Sequence, residues 1–528
     1  MGAEEVGVGA AGPWWRDAVV YQIYPRSFCD TSGDGIGDLA GITAHLDHLA
    51  WLGVDALWLS PIYRSPMADF GYDVACHTDV DPRFGTLEDA ETLIDAAHER
   101  GLRVLLDFVP NHTSSAHPWF VAARSGQGPR DWYVWRDPAP DGGPPNHWVA
   151  TFDPTRPAWT FDEGSGQYYL HLFLPEQPDL DWNHPGVVEA QHDVLRFWLD
   201  RGVDGFRADV VHLIGKDPAL ADDPRDLAGE VRVGFHFEPD RLLPLLRGLR
   251  RTIDSHIEPG AAQPRERVIV GEVNLSRPED LIACADGGHG LHLVFNFALL
   301  RAPWDAEAWR QVLAEVSAAA DPAGAWPTWV LSNHDEPRHR TRYGSLARAR
   351  AAAVVLLTLR GTPFLYAGEE LGLADAVITE PLDPGGRDGC RAPLPWHPEP
   401  PHGWAATPWL PWPPEPDRHA VSAQRSDPAS TLTLYRRLLH LRRARTVLRE
   451  GGMRLLEAPG VCAYERHLDE DRLIIALGTD PEARLDLTGS WRTLLASDAR
   501  DEGAPFDGHV GADRAVILSP AEPGRDGG

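Results

Sequence analysis

The sequence predicts an α/β protein built on a (β/α)8 barrel, with a small domain inserted after the third strand and an antiparallel β-sandwich domain at the C-terminal end. Three observations predict this fold. Eight short apolar or β-branched runs are each followed by a polar, helix-like stretch, one connection is far too long for an ordinary loop, and a shorter alternating pattern begins near residue 452. Repeated strand–helix units form parallel sheets, and eight of them close into a barrel.

The eight runs follow one another along the chain. They are residues 19–24, 56–59, 103–107, 205–209, 268–272, 293–296, 328–331 and 363–366. In such barrels the active site forms at the carboxyl ends of the strands. Asp209 and Glu272 end the fourth and fifth runs, and Asp335 follows the seventh. Position therefore makes these three carboxylates candidate catalytic groups.

The other segments complete the domain organisation. Residues 1–111 and 181–450 are assigned to the barrel, and residues 112–180, rich in Pro, Gly and Trp, to the inserted domain. Within the barrel, the Pro- and Trp-heavy residues 375–425 predict a long loop over the barrel mouth, and residues 431–449 predict a closing helix. Short alternating runs assign residues 451–528 to the antiparallel domain.

Composition excludes several classes of protein. The 528 residues include 49 basic and 78 acidic side chains, a net charge of −29 that repels nucleic acid and anionic lipid. No apolar run reaches the roughly 18 residues of a membrane span. The five cysteines form no CxxC pair, and the acidic start lacks the features of a secretory signal. We therefore expect free thiols and a cytoplasmic location.

Five motifs resemble those of a known family. In chain order they are DFVPNH at 107–112, QPDLDW at 177–182, GFRADVVH at 205–212, VGEV at 270–273 and LSNHD at 331–335. All but the second resemble the four sequence regions of the α-amylase superfamily, glycoside hydrolase family 13. The second resembles a block of the oligo-1,6-glucosidase group that usually reads QPDLN, with Asp181 in place of Asn. One such motif is weak support, but five in order are specific.

The chemistry of the family explains the three carboxylates. Cleaving a glycosidic bond with retention requires one carboxylate that attacks the anomeric carbon and another, about 5–5.5 Å away, that protonates the leaving oxygen. Neighbouring strands lie about 4.8 Å apart, so strands four and five can present such a pair. The resemblance implies that Asp209 is the nucleophile and Glu272 the acid/base. It also implies that Asp335 binds sugar hydroxyls.

Arg207 and two histidines belong to the same predicted site. Arg207 lies two positions before Asp209, on the same face of the strand, where it would hold the aspartate ionised. The resemblance assigns His112 and His334 hydrogen bonds to the same sugar ring. Each of these groups alone is more often a helix cap, half of an ion pair or a satisfied core residue. Their combination on separate strands favours the catalytic interpretation.

The resemblance also assigns residues to the terminal glucose. In DFGYD at 69–73, Asp69 grips sugar hydroxyls and Tyr72 stacks on the ring. In GRDGCR at 386–391, Arg387, or alternatively Arg391, pairs with Asp69 and closes the pocket, which makes the enzyme exo-acting. Further candidate sugar contacts, almost equally well explained by core packing, are Phe152, Phe295 and Asn296.

Residues 30–38, DTSGDGIGD, carry the oxygen ligands of a calcium loop. The ligands would be Asp30, Ser32, Asp34, the carbonyl of Ile36 and Asp38. Gly41 stands where an EF-hand needs Glu, so the loop is not of that type. The oligo-1,6-glucosidase group has a similar loop with a divalent ion, which implies a structural Ca²⁺, or Mg²⁺. The alternative is a polar loop without metal, and no glycine-rich phosphate loop suggests an organic cofactor.

The resemblance implies a retaining exo-α-glucosidase that acts on short oligosaccharides. Val210, which follows the predicted nucleophile, slightly favours α-1,6 over α-1,4 linkages in this group. One alternative is a glucosyl transferase or isomerase of the sucrose isomerase or trehalose synthase type, which shares the glucosyl-enzyme intermediate. The other is a non-catalytic transporter-associated relative, which is disfavoured because the carboxylates are present and no membrane anchor is seen.

Overall fold

The computed structural model describes residues 12–221, 239–275 and 277–521. The acidic start of the chain and residues 522–528 of the predicted C-terminal domain lie outside these ranges. The strands are β1 (Val20–Ile23), β2 (Ala56–Leu59), β3 (Tyr63–Arg64), β4 (Cys76–Val80), β5 (Arg103–Phe108), β6 (Trp135–Arg136), β7 (Trp159–Asp162), β8 (Gln167–Leu170), β9 (Gly205–Ala208), β10 (Val268–Gly271), β11 (Leu293–Val294), β12 (Thr328–Val330), β13 (Thr362–Tyr366), β14 (Gly452–Leu456), β15 (Val461–Leu468), β16 (Asp471–Gly478), β17 (Trp491–Ala496) and β18 (Arg514–Pro520).

The α-helices lie mostly between these strands. They are α1 (Trp14–Asp17), α2 (Leu39–Ala44), α3 (Leu46–Leu52), α4 (Leu87–Glu99), α5 (Pro118–Arg124), α6 (Pro185–Leu199), α7 (Pro239–Ser255), α8 (Pro278–Ala283), α9 (Ala298–Arg301), α10 (Ala306–Ala320), α11 (His339–Tyr343), α12 (Leu346–Thr358), α13 (Pro416–His419), α14 (Val421–Arg425), α15 (Thr431–Ala444) and α16 (Thr446–Arg449).

The predicted barrel is confirmed. Eight parallel strands form one sheet in the order β11-β10-β9-β5-β2-β1-β13-β12, and each overlaps one of the eight predicted runs. Alternate residues of the strands face opposite sides. Val20, Trp58 and Leu105 belong to the cluster that fills the barrel interior, whereas Tyr21 and Leu57 belong to the cluster that packs on the helices. Burial on both faces explains why these strands read as continuous apolar runs.

A side chain joins the two ends of this sheet. β11 and β12 are the terminal strands of the order, and Thr328 of β12 bridges them. Its Oγ1 donates to the carbonyl of Val294 at 2.8 Å and accepts the N–H of Asn296 at 3.1 Å. The hydroxyl thus satisfies backbone groups at the seam, which is how buried polar backbone avoids the cost of an unmade hydrogen bond.

The long connection between β5 and β9 contains a separate small sheet. Its strands are antiparallel in the order β6-β8-β7. His112 and Asp179, close to the predicted limits of the inserted domain, form an antiparallel bridge with each other. The chain therefore leaves the barrel and returns to it at neighbouring points, so the insert has closely spaced ends.

The closing helix is present as α15 followed by α16. Ser430 caps α15 by accepting the N–H of Thr433, as expected for a helix N-cap. Arg442 of α15 is buried and donates to the carbonyls of Leu357 and Gly361 at 3.2 and 2.7 Å. These carbonyls lie where α12 ends and β13 begins, so the arginine satisfies backbone acceptors between two elements.

The C-terminal strands form an antiparallel sheet, as predicted. Five strands pair in the order β14-β15-β16-β18-β17. One face, with Tyr464 and Ile475, packs on the barrel helices, and Tyr464 Oη lies 2.6 Å from Thr358 Oγ1 of α12. The opposite face is covered by apolar loop residues that include Leu485 and Phe506. The second layer of this domain is therefore made by loops.

Candidate active site

A cavity of about 430 Å³ lies at the carboxyl ends of the barrel strands. Its size is in the range of small-molecule sites. It is lined by residues that include Asp69, Tyr72, His112, Phe152, Phe173, Asp209, Val210, Glu272, Leu275, Phe297, Arg301, His334, Asp335, Glu336 and Arg387. The three candidate catalytic carboxylates, which are far apart in sequence, thus share one cavity with part of the inserted domain.

Arg207 holds the two carboxylates of the predicted pair. Its Nη1 donates to Asp209 Oδ1 at 2.7 Å, and its Nη2 donates to Glu272 Oε2. The same Nη1 donates to Asp107 Oδ1 at 2.7 Å. Arg207 is buried, so water and salt screen these contacts only weakly. One cation therefore fixes Asp209 and Glu272 beside each other.

The backbone turns sharply directly after Asp209. Val210 has φ 34° and ψ 41°, a left-handed conformation that β-branched residues rarely adopt. Its N–H donates to Glu272 Oε2 at 3.3 Å, and the next N–H, of Val211, donates to the Glu272 carbonyl at 3.0 Å. Such backbone strain is concentrated at functional sites. The strained turn ties the end of β9 to the end of β10.

His334 is part of a chain of hydrogen bonds across the barrel mouth. Gln22 Nε2 donates to His334 Nδ1 at 2.7 Å, so the proton of the neutral ring is on Nε2, which donates to Tyr72 Oη at 2.7 Å. Tyr72 in turn donates to Asp107 Oδ2 at 3.1 Å. The Tyr72 and His334 rings are nearly parallel, at an interplanar angle of 5°. The relay fixes both rings in one orientation.

Arg387 joins three carboxylates at another part of the cavity. Its Nη2 donates to Asp69 Oδ1 at 2.6 Å, its Nη1 to Asp335 Oδ1 at 3.0 Å and its Nε to Asp383 Oδ2 at 2.8 Å. The guanidinium also lies 4.6 Å from the centre of the Phe152 ring. Arg391 contacts Asp335 and Asp383. The structure therefore brings Arg387, and not Arg391, against Asp69.

Burial shifts the protonation of these groups. It raises the pKa of Asp209 well above its ordinary value, an effect that Arg207 opposes and Glu272 reinforces. Loss of hydration also acts to raise the pKa of Asp335, but His334 and the arginines outweigh it and hold this pKa below its usual range. Burial lowers the pKa of His334 to about 3 and that of His112 to about 4. Both rings are therefore neutral at neutral pH.

The raised pKa of Asp209 predicts the position of one limb of the pH profile. A nucleophile must be ionised, so we expect kcat/KM to fall as pH drops through a pKa that lies above the ordinary aspartate value of about 3.9. Initial rates on a chromogenic α-glucoside across the pH range measure this acidic limb. A kcat/KM that stays constant from neutral pH down to the ordinary aspartate pKa would contradict the assignment of Asp209.

The structure places the remaining predicted residues as follows. His112 lines the cavity, and its Nε2 lies 3.2 Å from the carbonyl of Tyr72. Phe152 lines the cavity, whereas Phe295 and Asn296 are buried and do not line it. The core-packing alternative fits the position of these two, because β11 ends at Val294 and the chain then turns. Phe297, stacked on Phe295 at 5.6 Å, reaches the cavity instead.

Several site residues were not predicted. Gln177 donates to Asp69 Oδ2 at 3.0 Å, Asp383 binds Arg387, and Phe173 and Arg301 line the cavity. Gln177 and Asp383 could have been found, because Gln177 opens the QPDLDW motif and Asp383 lies four residues before Arg387. No sequence pattern marks Phe173 or Arg301, because the paths of the insert and of the segment after β11 decide their positions.

Lys216, the only lysine of the sequence, is buried next to this site. Its Nζ donates to the carbonyl of Leu213 at 2.8 Å and pairs with Asp179 Oδ2 at 2.9 Å. It also donates to Asn111 Oδ1, and Asn111 Nδ2 lies 3.2 Å from His112 Nδ1. The ammonium group thereby connects the segment after β9 with both ends of the insert.

The predicted metal loop is a compact turn. Asp30 accepts the N–H groups of Gly33 and Gly35 at 2.8 and 3.1 Å, and Asp38 caps α2. Asp30 Oδ1 and Ser32 Oγ lie 3.3 Å apart, but Asp30 Oδ2 also accepts the N–H of Ala406 at 3.1 Å, and Asp38 Oδ2 accepts the N–H groups of Thr31 and Ser32 at 2.8 and 3.1 Å. Within the described residues no three His, Cys, Asp or Glu side chains are grouped to hold a metal. The divalent ion, which would also use serine and carbonyl oxygens, stays a prediction.

Metal addition tests that prediction directly. We expect Ca²⁺ to raise the melting temperature of EDTA-treated protein, because an ion that binds only the folded state stabilises it by about 3 kcal/mol at a hundredfold excess over Kd. Differential scanning calorimetry with Ca²⁺, with Mg²⁺ and with neither measures the shift. Asp34→Asn, at a predicted ligand, should remove the response, whereas Asp47→Asn on α3 should keep it. Identical melting with and without the ions would favour a polar loop without metal.

Two further observations concern the cysteines and the length of the helices. All five cysteines lie in the described part of the chain, and each has a free thiol. No helix within residues 12–221, 239–275 or 277–521 is both long enough and apolar enough to cross a membrane.

Comparison with known proteins relates this geometry to characterised families. The model of the α-amylase catalytic domain matches residues 22–451. A probable α-glucosidase of Rhizobium meliloti (strain 1021) is 45% identical over 484 residues, which cover 85% of this chain and 86% of that protein. An oligo-1,6-glucosidase of Parageobacillus thermoglucosidasius is 35% identical over 515 residues, covering 88% and 90%. The solved structure of an α-glucosyl transfer enzyme has a TM-score of 0.86 and 37% identity, covering 97% of this chain and all of that one.

Proposed function

Because the chain belongs to the α-amylase family and is a glycoside hydrolase, we propose that it is a retaining, exo-acting α-glucosidase that removes terminal α-linked glucose from short oligosaccharides. The observation that carries the proposal is the attachment of Asp209 and Glu272 to one buried guanidinium, that of Arg207. The similarity to proteins named α-glucosidase and oligo-1,6-glucosidase supports the substrate class.

In the first step Asp209 attacks the anomeric carbon. The bond from that carbon to the glycosidic oxygen breaks, and the oxygen takes the proton of Glu272. Positive charge develops on the sugar ring, where the ionised Asp335 stabilises it more strongly in the transition state than in the ground state. Burial opposes the ionisation of Asp209, so the contact with Arg207 is needed to keep the nucleophile charged.

In the second step water completes the hydrolysis. Glu272, now a carboxylate, takes a proton from the water. The oxygen of that water attacks the anomeric carbon and displaces Asp209. Two inversions leave the released glucose in the α configuration. Asn274 Nδ2 lies 3.2 Å from Glu272 Oε1, and this contact limits the rotation of the carboxylate between its two roles.

The contacts of Arg387 support exo action. Arg387 binds Asp69 and Asp335 at once, so its guanidinium occupies the position beyond the terminal sugar. A chain that continued past that sugar would have to displace a paired cation, which costs several kcal/mol when the partners are buried. We therefore propose that the enzyme takes only the non-reducing glucose.

We propose a slight preference for α-1,6 linkages. Val210 lines the cavity directly after the nucleophile, and its strained backbone fixes the direction of its side chain.

Transfer of glucose to a hydroxyl compound in place of water is the second candidate function. The observation that favours it is the structural similarity to an α-glucosyl transfer enzyme. The free thiols support action in a reducing cytoplasm.

Product analysis tests the proposed function. Purified enzyme is incubated with maltose, isomaltose, sucrose, trehalose and maltotriose, and free glucose and new oligosaccharides are followed. We expect the released glucose to have the α configuration and to form fastest from isomaltose. From maltotriose we expect glucose and maltose as the first products. If new disaccharides are the main products, the enzyme is a transferase or an isomerase and not a hydrolase. If the glucose first released is the β anomer, the retaining mechanism is excluded.

A further inference from the structure

The two arginines of the predicted glucose site, Arg207 and Arg387, are already paired. Arg207 binds three carboxylates, and Arg387 binds another three. His112 and His334, which also line the cavity, are neutral because burial lowers the pKa of each. None of these groups has a positive charge to offer to a ligand without losing a carboxylate partner.

Arg301 differs from them. It is exposed, ends α9 and lines the same cavity. Its side chain makes no hydrogen bond or ion pair with any residue in the described ranges, and its guanidinium lies 5.7 Å from the centre of the Phe297 ring. Among the arginines that line this cavity within the described chain, Arg301 is therefore the one with an uncommitted charge.

The topology places Arg301 on the side of the leaving group. α9 follows β11, and β11 pairs with β10, the strand that Glu272 follows directly. Glu272 is the group that protonates the leaving oxygen in the proposed mechanism. Asp69 and Arg387, which are assigned to the terminal glucose, come from other segments. Leu275 and Phe297 give this side of the cavity an apolar wall, next to which a charge interaction is screened less than in open water.

We propose that Arg301 selects leaving groups that carry an oxyanion, so that the preferred substrates are α-glucosides of phosphorylated or carboxylated compounds. A guanidinium binds phosphate and carboxylate through two parallel N–H groups, which gives both strength and direction. The inference rests on the proposed function, because a leaving group exists only where the glycosidic bond is cleaved.

The negative charge of Glu336 should act on a bound oxyanion in the opposite sense to the positive charge of Arg301. It lines the same cavity, and its carboxylate has no partner among the described residues. A bound oxyanion would be repelled by Glu336 and attracted by Arg301, so loss of each charge should act in opposite directions. A merely structural role of either residue would not produce opposite changes in one specificity ratio.

Matched substrate pairs test the proposal. The first pair is trehalose 6-phosphate and trehalose, and the second is 4-carboxyphenyl α-glucoside and its methyl ester. For each pair the ratio of kcat/KM, anionic over neutral, is measured for wild type, Arg301→Gln, Arg301→Lys and Glu336→Gln. Arg484→Gln, which removes an equal charge from an exposed position in the C-terminal domain, is the control.

We expect wild type to prefer the anionic member of at least one pair, and Arg301→Gln to lower that ratio about tenfold. Arg301→Lys should keep part of the preference, Glu336→Gln should raise it, and Arg484→Gln should leave it unchanged. Added salt should reduce the ratio in wild type. A preference within only one pair identifies phosphate or carboxylate as the recognised group.

Two results would overturn the proposal. One is a ratio near unity for both pairs in wild type, and the other is an equal ratio in wild type and Arg301→Gln. If none of the four glucosides is cleaved, the proposed function fails. Calorimetric titration with glucose 6-phosphate and with glucose then tests whether Arg301 binds an oxyanion. Wild type and Arg301→Gln that bind the phosphate equally would then exclude an oxyanion site at Arg301.

Discussion

Replacement of Asp209 by asparagine is expected to lower kcat by a factor of about 10⁵ while the protein keeps its fold. The amide has the size of the carboxylate and can still accept the N–H of Arg207, but it cannot form the glucosyl ester on which both steps depend. Release of 4-nitrophenol from its α-glucoside measures kcat, and thermal unfolding measures the stability of the variant.

Asp193→Asn is the matched control for this substitution. Asp193 is exposed on α6, where it pairs with Arg196, and exposed ion pairs contribute at most about 1 kcal/mol. This variant should have the kcat of wild type. Substantial turnover by Asp209→Asn, with purity checked by mass spectrometry, would mean that another group is the nucleophile.

Glu272→Gln is expected to reduce kcat/KM for disaccharides by about 10³-fold, with a much smaller effect on 2,4-dinitrophenyl α-glucoside. A sugar leaves as a poor alkoxide and needs the proton of Glu272, whereas dinitrophenolate leaves without it. The ratio of the two kcat/KM values therefore measures acid catalysis itself, and a merely distorted site would slow both substrates. Glu279→Gln, at an exposed first-turn position of α8, should leave the ratio unchanged.

Azide separates the second role of Glu272 from the first. The Gln variant has no base to activate water, so azide, which needs none, should accelerate turnover and give α-glucosyl azide. The α configuration of that product requires a covalent intermediate on the opposite face. Formation of β-glucosyl azide by Glu272→Gln, or equal loss of rate on both substrates, would argue against the assigned role.

The barrel could be predicted because of where its strands lie. Each is buried on both faces, so the runs are uniformly apolar and easy to recognise, and Asp209 and Glu272 follow at positions that the barrel geometry itself makes prominent. The pairing of Asp69 with Arg387 came from motif resemblance alone. Their separation of more than 300 residues carries no periodic signal, and only the folded loops bring the two together.

Other parts of the site depend on local backbone geometry that the sequence does not reveal. The left-handed turn at Val210 contradicts the preference of a β-branched residue, so propensity alone would not predict it. The turn after β11 moves the cavity-lining aromatic from Phe295 to Phe297. A shift of one or two residues at the end of a strand is enough to exchange a core residue for a site residue.

The single lysine makes this protein suited to footprinting of local opening. Lys216 is 8% exposed and its ammonium is charge-paired, so an amine-reactive reagent can acylate it only after the contacts with Asp179 and Asn111 have separated. Because no other side chain carries an ε-amine, the mass shift of one peptide records that event without ambiguity. The rate at which Lys216 is acylated would report how often the insert detaches from the barrel. The same rate with a sugar bound would report how far the sugar suppresses this local opening.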